Sequence, residues 1–367
     1  MFKTPFIDLV AENQEFFKEI ETAVSKVIRS GHYILGTEVE NFEKNVCEFT
    51  SAKHCIGVAN GTDALVLALK SFNISENDEV ITVSNSYFAT ASAIILAGAV
   101  PVLCDVEKDT GLISVEALEQ AISSRTRAVI VVHLGGYLAD MDKISKICKA
   151  HNLLLIEDCA QAFGSRDTRG KHAGCYGDIA AFSTHPLKNL AGMGDGGFIL
   201  TDSDKTNSWL RKARSHGHIS RDEIEFPSMN SRLDEMQAAI LNVKIKYMED
   251  LIAQRRARVL NYYKLLSGTG LMPSLEAINT SSHHLLIVCI NKRDEFIRLM
   301  AEQYGIEIKI HYPKPYHKLS SISHFKISAN LKNTEYRSRK MVSLPIGQHV
   351  SDEDIKIICR EIIRYTL

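Results

Sequence analysis

Short apolar segments alternate with longer amphipathic segments between about residue 50 and residue 205, and this alternation restricts the fold more than any other feature. Segments rich in Val, Ile and Leu without polar alternation are typical of strands in a sheet that is buried on both faces. Helices between successive strands favour an α/β arrangement with a mainly parallel sheet. The predicted strands are 55–59, 79–84, 100–104, 128–133, 153–157, 179–183 and 198–201, and the clearest predicted helices are 62–72, 89–98, 115–123 and 141–151.

The C-terminal third of the chain has a different pattern. Apolar residues recur every three to four positions from about 232 to 266, which predicts one long helix. Helix and strand patterns are mixed after it, as in a smaller α+β domain. The 367 residues are enough for two domains. We therefore predict a large α/β domain at 1–248 and a small C-terminal domain at 249–367.

The charge balance argues against two classes of partner. The chain has 43 basic and 44 acidic residues and a formal net charge of -1, so no bulk field attracts nucleic acid or a membrane surface. The longest apolar run, 93–103, is too short to span a bilayer. No signal peptide is recognisable, and the eight cysteines form no CxxC pair. We expect a cytoplasmic protein with reduced thiols.

An acid and a lysine follow two of the predicted strands. Asp158 directly follows the predicted strand 153–157, and ligands bind at the carboxyl ends of parallel strands. Lys188 follows strand 179–183 and precedes a glycine-dense loop at 192–197. A carboxylate keeps a pyridine nitrogen protonated, and a lysine amine holds an aldehyde as a Schiff base and then moves protons. Taken alone, each residue has an ordinary alternative, a helix cap for Asp158 and a solvated charge for Lys188. Together they predict pyridoxal 5′-phosphate (PLP) chemistry.

Three further residues fit the phosphate of that cofactor. Gly61 and Thr62 open a helix directly after a strand, and a helix N-terminus offers free amide groups to a phosphate. Ser183 lies at the end of another strand, close to Lys188 in the chain. A plain helix cap without a ligand is the alternative for the first pair.

Other candidates lie on strand-to-helix turns and later loops. Tyr87 or Phe88 can stack on the pyridine ring or belong to the core. Gln161 can donate to the ring hydroxyl oxygen or be a solvent-exposed helix residue. Asn230 can cap the predicted long helix or reach a phosphate. The weaker substrate candidates are His185, His311 and Tyr312, and no metal ligand is predicted.

Together these motifs resemble the DegT/DnrJ/EryC1/StrS family of PLP-dependent sugar aminotransferases, most specifically at 157–164 and 183–197. The resemblance covers essentially the whole chain. It implies the type I, aspartate-aminotransferase-like fold, with a large PLP domain whose sheet is mainly parallel and seven-stranded. It also implies a homodimer whose active sites are shared between subunits.

The resemblance assigns a role to each cofactor residue. Lys188 forms the Schiff base, Asp158 pairs with the pyridine nitrogen, and Gln161 contacts the ring hydroxyl. Tyr87 stacks on the ring. The remaining residues bind phosphate: Gly61, Thr62 and Ser183 within the subunit, and Asn230 at the neighbouring subunit's cofactor.

The implied reaction is transamination of a nucleotide-linked keto-deoxysugar with L-glutamate as donor. The Asp195 loop reads Gly-Asp-Gly-Gly, which resembles the branch acting on 3-keto rather than 4-keto sugars. After Leu134 the chain has Gly135 and Gly136, where the family usually has an aromatic residue and a glycine. That loop lies near the substrate in the family, so the departure bears on substrate preference.

Other functions fit the sequence less well. Sugar dehydratases on the same fold carry histidine in place of Lys188. A non-catalytic regulatory relative predicts loss of Lys188 or Asp158, and both are present. A Rossmann dehydrogenase requires a GxGxxG motif after the first strand, which is missing.

Overall fold

The computed structural model describes residues 2–320, 325–328 and 330–366. Its N-terminal part consists of α1 (Leu9–Asn13), α2 (Phe17–Ser30) and α3 (Thr37–Thr50). The α/β part follows, with β1 (His54–Val58), α4 (Gly61–Ser71), β2 (Glu79–Val83), α5 (Ala89–Leu96), β3 (Val100–Cys104), α6 (Val115–Ala121), β4 (Thr126–Val132), α7 (Met141–Ala150), β5 (Leu154–Asp158), β6 (Ile179–Ser183), β7 (Gly197–Thr201) and α8 (Asp204–Ala213).

The remaining elements begin with a short hairpin. They are β8 (His218–Ser220), β9 (Glu223–Ile224), α9 (Glu235–Lys244), α10 (Met248–Leu265), α11 (Leu275–Thr280), β10 (Leu286–Cys289), α12 (Arg293–Tyr304), β11 (Lys326–Ile327), α13 (Lys332–Lys340), β12 (Met341–Leu344) and α14 (Asp352–Thr366).

Within the described residues, eight strands form the main sheet, in the order β1-β7-β6-β5-β4-β2-β3-β11. Strand β7 runs antiparallel to β1 and β6, and the other neighbouring pairs are parallel. All seven predicted strands are confirmed, and the α/β fold class with them. The prediction of seven strands misses β11, which pairs with β3. Lys326 and Ile327 are too short a segment to show a strand pattern, and only their tertiary position reveals it.

Helices cover both faces of this sheet, so its strands are apolar on both sides. Ile56, Ile130 and Ile156 pack on one face with α4, α5 and α8. Val131 and Leu155 pack on the other face with α6 and α7, and α3 and α9 cover the same face further along the sheet. Because side chains alternate along a strand, successive residues at the end of β5 point to opposite faces.

The predicted long helix at 232–266 is wrong as a single element. Helix α9 starts at Glu235, and a 3₁₀ turn at Ile245–Tyr247 separates it from α10. The 3₁₀ turn has nearly the same side-chain period as an α-helix, so the apolar pattern continues through it. Asn230 therefore does not cap this helix, because it lies before Asp234, the residue at the N-cap.

A second core lies in the C-terminal part. Strands β10 and β12 pair antiparallel, and α10, α12 and α14 pack with them around buried residues such as Phe296 and Val342. The domain boundary at 248 stays a prediction, and β11 shows that the C-terminal part returns to the large sheet.

Among the described residues, no helix is both long enough and apolar enough to cross a membrane.

Candidate active site

Asp158 lies at the carboxyl end of β5, in the middle of the sheet, and its side chain is only 6% exposed. The Thr90 hydroxyl on α5 donates to Oδ2 at 2.7 Å, and the Ala160 backbone N–H donates to Oδ1 at 3.2 Å. Burial raises the pKa of Asp158, and these two hydrogen bonds oppose the shift. Both partners are neutral, so among the described residues no hydrogen-bonded cation balances this carboxylate.

Lys188 lies on the loop after β6 and is partly buried. Its backbone N–H donates to the His185 carbonyl at 2.8 Å, which closes a tight turn. Burial lowers the pKa of the Lys188 amine to about 8, and the charge of Asp158 opposes this shift. An amine with that pKa is partly neutral near pH 8, which a nucleophile and proton carrier requires.

The three predicted phosphate residues meet at the N-terminus of α4. The Asn60 side chain accepts the Asp63 N–H at 2.8 Å, and helix bonding begins there. The N–H groups of Gly61 and Thr62 in the first turn are left for an external acceptor. A Cβ on Gly61 would lie 2.8 Å from the Cβ of Ser183, so only glycine permits this approach.

Gln161 connects this site to the C-terminal part of the chain. Its Oε1 accepts the Gly135 N–H at 2.6 Å, and its Nε2 donates to the Tyr312 hydroxyl at 3.1 Å. The Tyr312 ring lies 5.7 Å from the Tyr87 ring, centre to centre. Tyr87 is 61% exposed, which leaves its ring available for stacking, whereas Phe88 packs edge-on against Tyr316. The structure therefore brings together Gln161, Tyr312 and Tyr87.

Gly135 has a left-handed backbone, with φ of 71°. A Cβ at this position would lie 3.2 Å from the Leu285 carbonyl oxygen and 3.3 Å from the Tyr137 ring. A side chain here would point at protein atoms. Glycine permits the left-handed backbone in which the Gly135 N–H donates to Gln161.

The histidine candidates also lie near Lys188. Burial, with a smaller contribution from Lys188, lowers the pKa of His311 to about 4, and its Nδ1 lies 2.9 Å from the Ser343 hydroxyl. His185 is exposed, and its Nδ1 accepts the Leu187 N–H at 3.2 Å. Burial and then the charge of Lys188 also lower the pKa of His185.

Two residues of this site were missed by the sequence analysis. Thr90 holds Asp158, and in the sequence it is only the second residue of the predicted helix 89–98. His284 is buried, and burial and then Lys188 hold its pKa well below the usual value. The polar run 281–284 before β10 is the signal that points to it.

Asn230 stands apart from the other predicted cofactor residues. It is exposed and forms a single bridge with Ser215, in the connection between the β8–β9 hairpin and α9. An exposed position is what a contact with a neighbouring subunit requires.

These residues fit PLP in two respects. The Asp158 carboxylate, buried without a cation in contact, suits a protonated pyridine nitrogen. The cradle of Gly61, Thr62 and Ser183 at a helix N-terminus suits a phosphate. Lys188 lies close enough to Asp158 for the charges of the two side chains to influence each other.

Comparisons with known proteins agree with this geometry. The model of the DegT/DnrJ/EryC1/StrS aminotransferase family matches residues 14–363. The chain is 40% identical over 362 residues to dTDP-3-amino-3,6-dideoxy-alpha-D-galactopyranose transaminase of Aneurinibacillus thermoaerophilus, covering 98% of this chain and 99% of that protein. It is 36% identical over 355 residues to UDP-2-acetamido-2-deoxy-3-oxo-D-glucuronate aminotransferase of Pseudomonas aeruginosa, covering 96% and 98%.

A solved structure shows the same fold. The crystal structure of S. venezuelae DesV in complex with a ketimine intermediate superimposes with a TM-score of 0.93 at 34% identity, covering 100% of this chain and 99% of that one. The family prediction is confirmed, and so is the prediction of the cofactor. This chain belongs to the DegT/DnrJ/EryC1/StrS aminotransferase family, and it is a PLP-dependent aminotransferase.

Proposed function

We propose that this enzyme transfers an amino group from L-glutamate to a nucleotide-linked 3-keto-deoxysugar. The observation that carries the proposal is the pairing of a buried Asp158 with a Lys188 of lowered pKa at the carboxyl edge of the sheet. The names of the two relatives put the amino group of one sugar, and the keto group of the other, at carbon 3. Their nucleotides differ, so we propose the sugar position and leave the nucleotide to experiment.

Each residue contributes a separate physical step. When bound, PLP supplies a conjugated ring that stores the electrons released at the reacting carbon. Asp158 keeps the ring nitrogen protonated, which stabilises that negative charge. The Nζ of Lys188 would hold the aldehyde of the bound cofactor, and once free it would carry the proton removed from the reacting carbon of the donor; the reverse transfer would serve the keto sugar.

The surrounding residues orient these groups. Gln161, fixed by Gly135 and Tyr312, presents an amide hydrogen to the ring hydroxyl. The Tyr87 ring would stack on the pyridine, and Gly61, Thr62 and Ser183 would hold the phosphate. His284 and His311 stay neutral at pH 7, because burial lowers the pKa of each, and so they add no positive charge beside Lys188.

We further propose a homodimer in which both subunits build each site. Tyr33 and Ile34 are each 48% exposed, and their backbone contacts the start of α9 beside Met236, which is 40% exposed. Met193, 42% exposed, is hydrogen-bonded to the same helix. These four side chains form an apolar surface that a second copy would cover.

Light scattering tests the dimer. We expect a mass of about twice 40.9 kDa, and we expect Ile34→Glu to give a monomer with little activity. Val10→Glu, also exposed and apolar but on α1, is the matched control and should remain dimeric. A monomeric wild type that retains full activity contradicts shared sites.

We place the enzyme in the cytoplasm, in keeping with eight free cysteines.

Absorbance and turnover test the reaction. Addition of L-glutamate should move the visible band of the holoenzyme to the amine form of the cofactor. A panel of 3-keto and 4-keto nucleotide sugars should then restore the first band with 3-keto compounds. Lys188→Ala should lose turnover while it still binds pyridoxamine phosphate. A band that glutamate leaves unchanged, or full activity of Lys188→Ala, contradicts the proposal.

A further inference from the structure

Glu157 is a buried carboxylate directly before Asp158, with no solvent exposure. Because successive side chains on a strand alternate, it points to the face of the sheet opposite Asp158. The backbone N–H groups of Tyr176 and Gly177 each donate to its Oε1 at 2.7 Å. The N–H of Gly174 donates to Oε2 at 2.8 Å. A bond from His133, followed by those from Gly177 and Gly174, lowers the pKa of Glu157 against the effect of burial, so it stays ionised.

One residue of the neighbouring strand holds both acids. His133, directly after β4, has its Nε2 3.0 Å from Oε2 of Glu157, and its backbone N–H donates to the Asp158 carbonyl at 3.2 Å. The Ala139 N–H donates to Nδ1 of the same ring at 3.3 Å, which fixes the ring proton on Nε2. The end of β5 is therefore tied to β4 twice, once through the side chain and once through the main chain.

The three backbone donors belong to the loop that leads into β6. This loop requires glycine at two of its positions. A Cβ on Gly177 would lie 2.5 Å from the Leu155 carbonyl oxygen, and one on Gly174 would lie 2.6 Å from the Phe182 ring. Strand β6 ends at Ser183 in the phosphate cradle. Glu157 thus connects the strand that carries Asp158 to the strand that carries the cradle.

A metal site does not account for this cluster. The ligand atoms of His133, Glu157 and Cys159 lie within 4.8 Å of one another. Both ring nitrogens of His133 and both oxygens of Glu157 are already engaged in hydrogen bonds. Burial also raises the pKa of the Cys159 thiol well above its usual value, which opposes the thiolate that a metal needs.

We propose that Glu157, held by His133, is a positioning residue that fixes Asp158 relative to Ser183 and Lys188. Its carboxylate contacts His133 after β4 and the loop before β6 but not the reacting groups. A buried, hydrogen-bonded charge contributes little net stability compared with an apolar replacement, and fixing a single arrangement is one attested use of such a group. This inference rests on the proposed role of Asp158 as partner of the ring nitrogen.

The first test is Glu157→Gln in the holoenzyme. The amide places an NH₂ group where at least one N–H donor needs an acceptor, so the end of β5 should shift. Misplacement by about 1 Å costs roughly 10²-fold in rate. We expect kcat to fall by about 10- to 100-fold while KM for both substrates changes little. The visible circular dichroism of the bound cofactor should decrease.

Glu43→Gln is the matched control for this substitution. Glu43 is also buried and accepts the Gly57 N–H at 2.9 Å and Arg214 Nη1 at 2.6 Å, at β1, the far edge strand of the sheet. It should lower the melting temperature without changing kcat or the dichroism. If Glu157→Gln behaves like Glu43→Gln, with stability alone affected, the positioning role is wrong.

A second pair of variants decides the matter if Glu157→Gln does not fold. His133→Leu removes one donor to Glu157 and leaves the three backbone donors, whereas His133→Gln keeps an N–H in a similar place. We expect kcat and dichroism to fall in His133→Leu and largely to recover in His133→Gln. Equal values in both variants and wild type contradict the inference. The dichroism comparison needs no sugar substrate, so it remains decisive even if the proposed sugar is wrong.

Discussion

Burial acts on the two central residues of this site in opposite directions. It raises the pKa of Asp158 and lowers the pKa of Lys188, so both are driven toward their neutral forms. A protonated pyridine nitrogen reverses the effect on Asp158, because a charged partner in contact favours the carboxylate. The carboxylate and the cofactor ring therefore stabilise each other's charge.

Asp158→Asn tests that mutual stabilisation. The amide oxygen can still accept the Ala160 N–H and the amide nitrogen can donate to the Thr90 hydroxyl, but the neutral group cannot hold the ring nitrogen protonated. We expect kcat to fall by about 10²- to 10³-fold, as for loss of one electrostatic group in an active site, with little change in melting temperature. Thr90→Ser keeps the hydroxyl donor and should retain most activity. Wild-type kcat in Asp158→Asn argues against the assigned role.

The pKa of Lys188 predicts a pH dependence. Because burial lowers that pKa to about 8, the neutral fraction of the amine rises tenfold per unit up to about pH 8 and then levels. The single-turnover rate of the glutamate half-reaction should follow this curve. Stopped-flow absorbance between about pH 6 and about pH 10 measures it. A rate that is constant over this range means that the amine of Lys188 does not limit the proton transfer.

The sequence reveals some site residues and hides others for a physical reason. Asp158 and Lys188 follow strands with clear apolar patterns, so their positions at the sheet edge can be predicted. Thr90 and His284 reach the site only through tertiary packing, since they come from segments 68 and 96 residues from Asp158 and Lys188 respectively. The polar run 281–284 draws attention to His284, but no local pattern shows which distant residues it meets.

At the level of elements, the N-terminus of α3 depends on a residue of α9. The Glu235 carboxylate accepts the N–H groups of Gly36, Glu38 and Val39 at 2.8, 3.0 and 2.9 Å. These N–H groups at the start of the helix have no partner within α3, and a carboxylate there also interacts favourably with the helix dipole. Helix α3 is thereby joined to α9 over the face of the sheet.

Glu235→Ala should therefore destabilise the protein. The Val39 N–H is buried and the other two donors are half-buried. A buried donor left without a partner costs about 1–3 kcal/mol, and we expect a loss of about 2–3 kcal/mol in the free energy of unfolding. Urea titration followed by circular dichroism measures it. Glu40→Ala, an exposed change in the same first turn, should stay within about 0.5 kcal/mol of wild type. Equal midpoints for the two variants would show that this cap is not needed.

Element boundaries differ in how far the sequence predicts them. The strands are predicted well, because continuous Val, Ile and Leu runs end where polar residues begin. The break between α9 and α10 has no such mark, since neither proline nor glycine lies at Ile245–Tyr247. Helices α1 to α3 precede the alternating region and carry no strand between them, so the alternation does not reveal them.

At the scale of the whole molecule, β11 is not the only link between the described C-terminal residues and the large sheet. Asp105, directly after β3, accepts the N–H groups of Asn333 and Thr334 at 2.9 and 2.8 Å and so caps α13. Tyr316 and Leu331 share a core with Leu103. The described residues between 316 and 340 therefore complete the edge of the large sheet, although they lie within the predicted small domain.

We predict that a chain ending at residue 248 does not fold by itself. It would lack β11 and the residues that cover Leu103, and unpaired apolar edges promote aggregation. Size-exclusion chromatography and circular dichroism of this fragment test the prediction. Co-expression with residues 249–367 is the control and should restore soluble protein. A monodisperse 1–248 fragment with cooperative unfolding contradicts the expectation.

The position of β11 has a consequence for biosynthesis. Strand β3 leaves the ribosome more than 200 residues before Lys326 and Ile327 pair with Val102 and Leu103. Until then its outer edge is open to other nascent chains. Pro101 lies within this strand and has no N–H to donate, so the exposed edge of β3 is a poor template for intermolecular pairing. We therefore expect replacement of Pro101 to reduce the yield of soluble protein rather than the rate of catalysis.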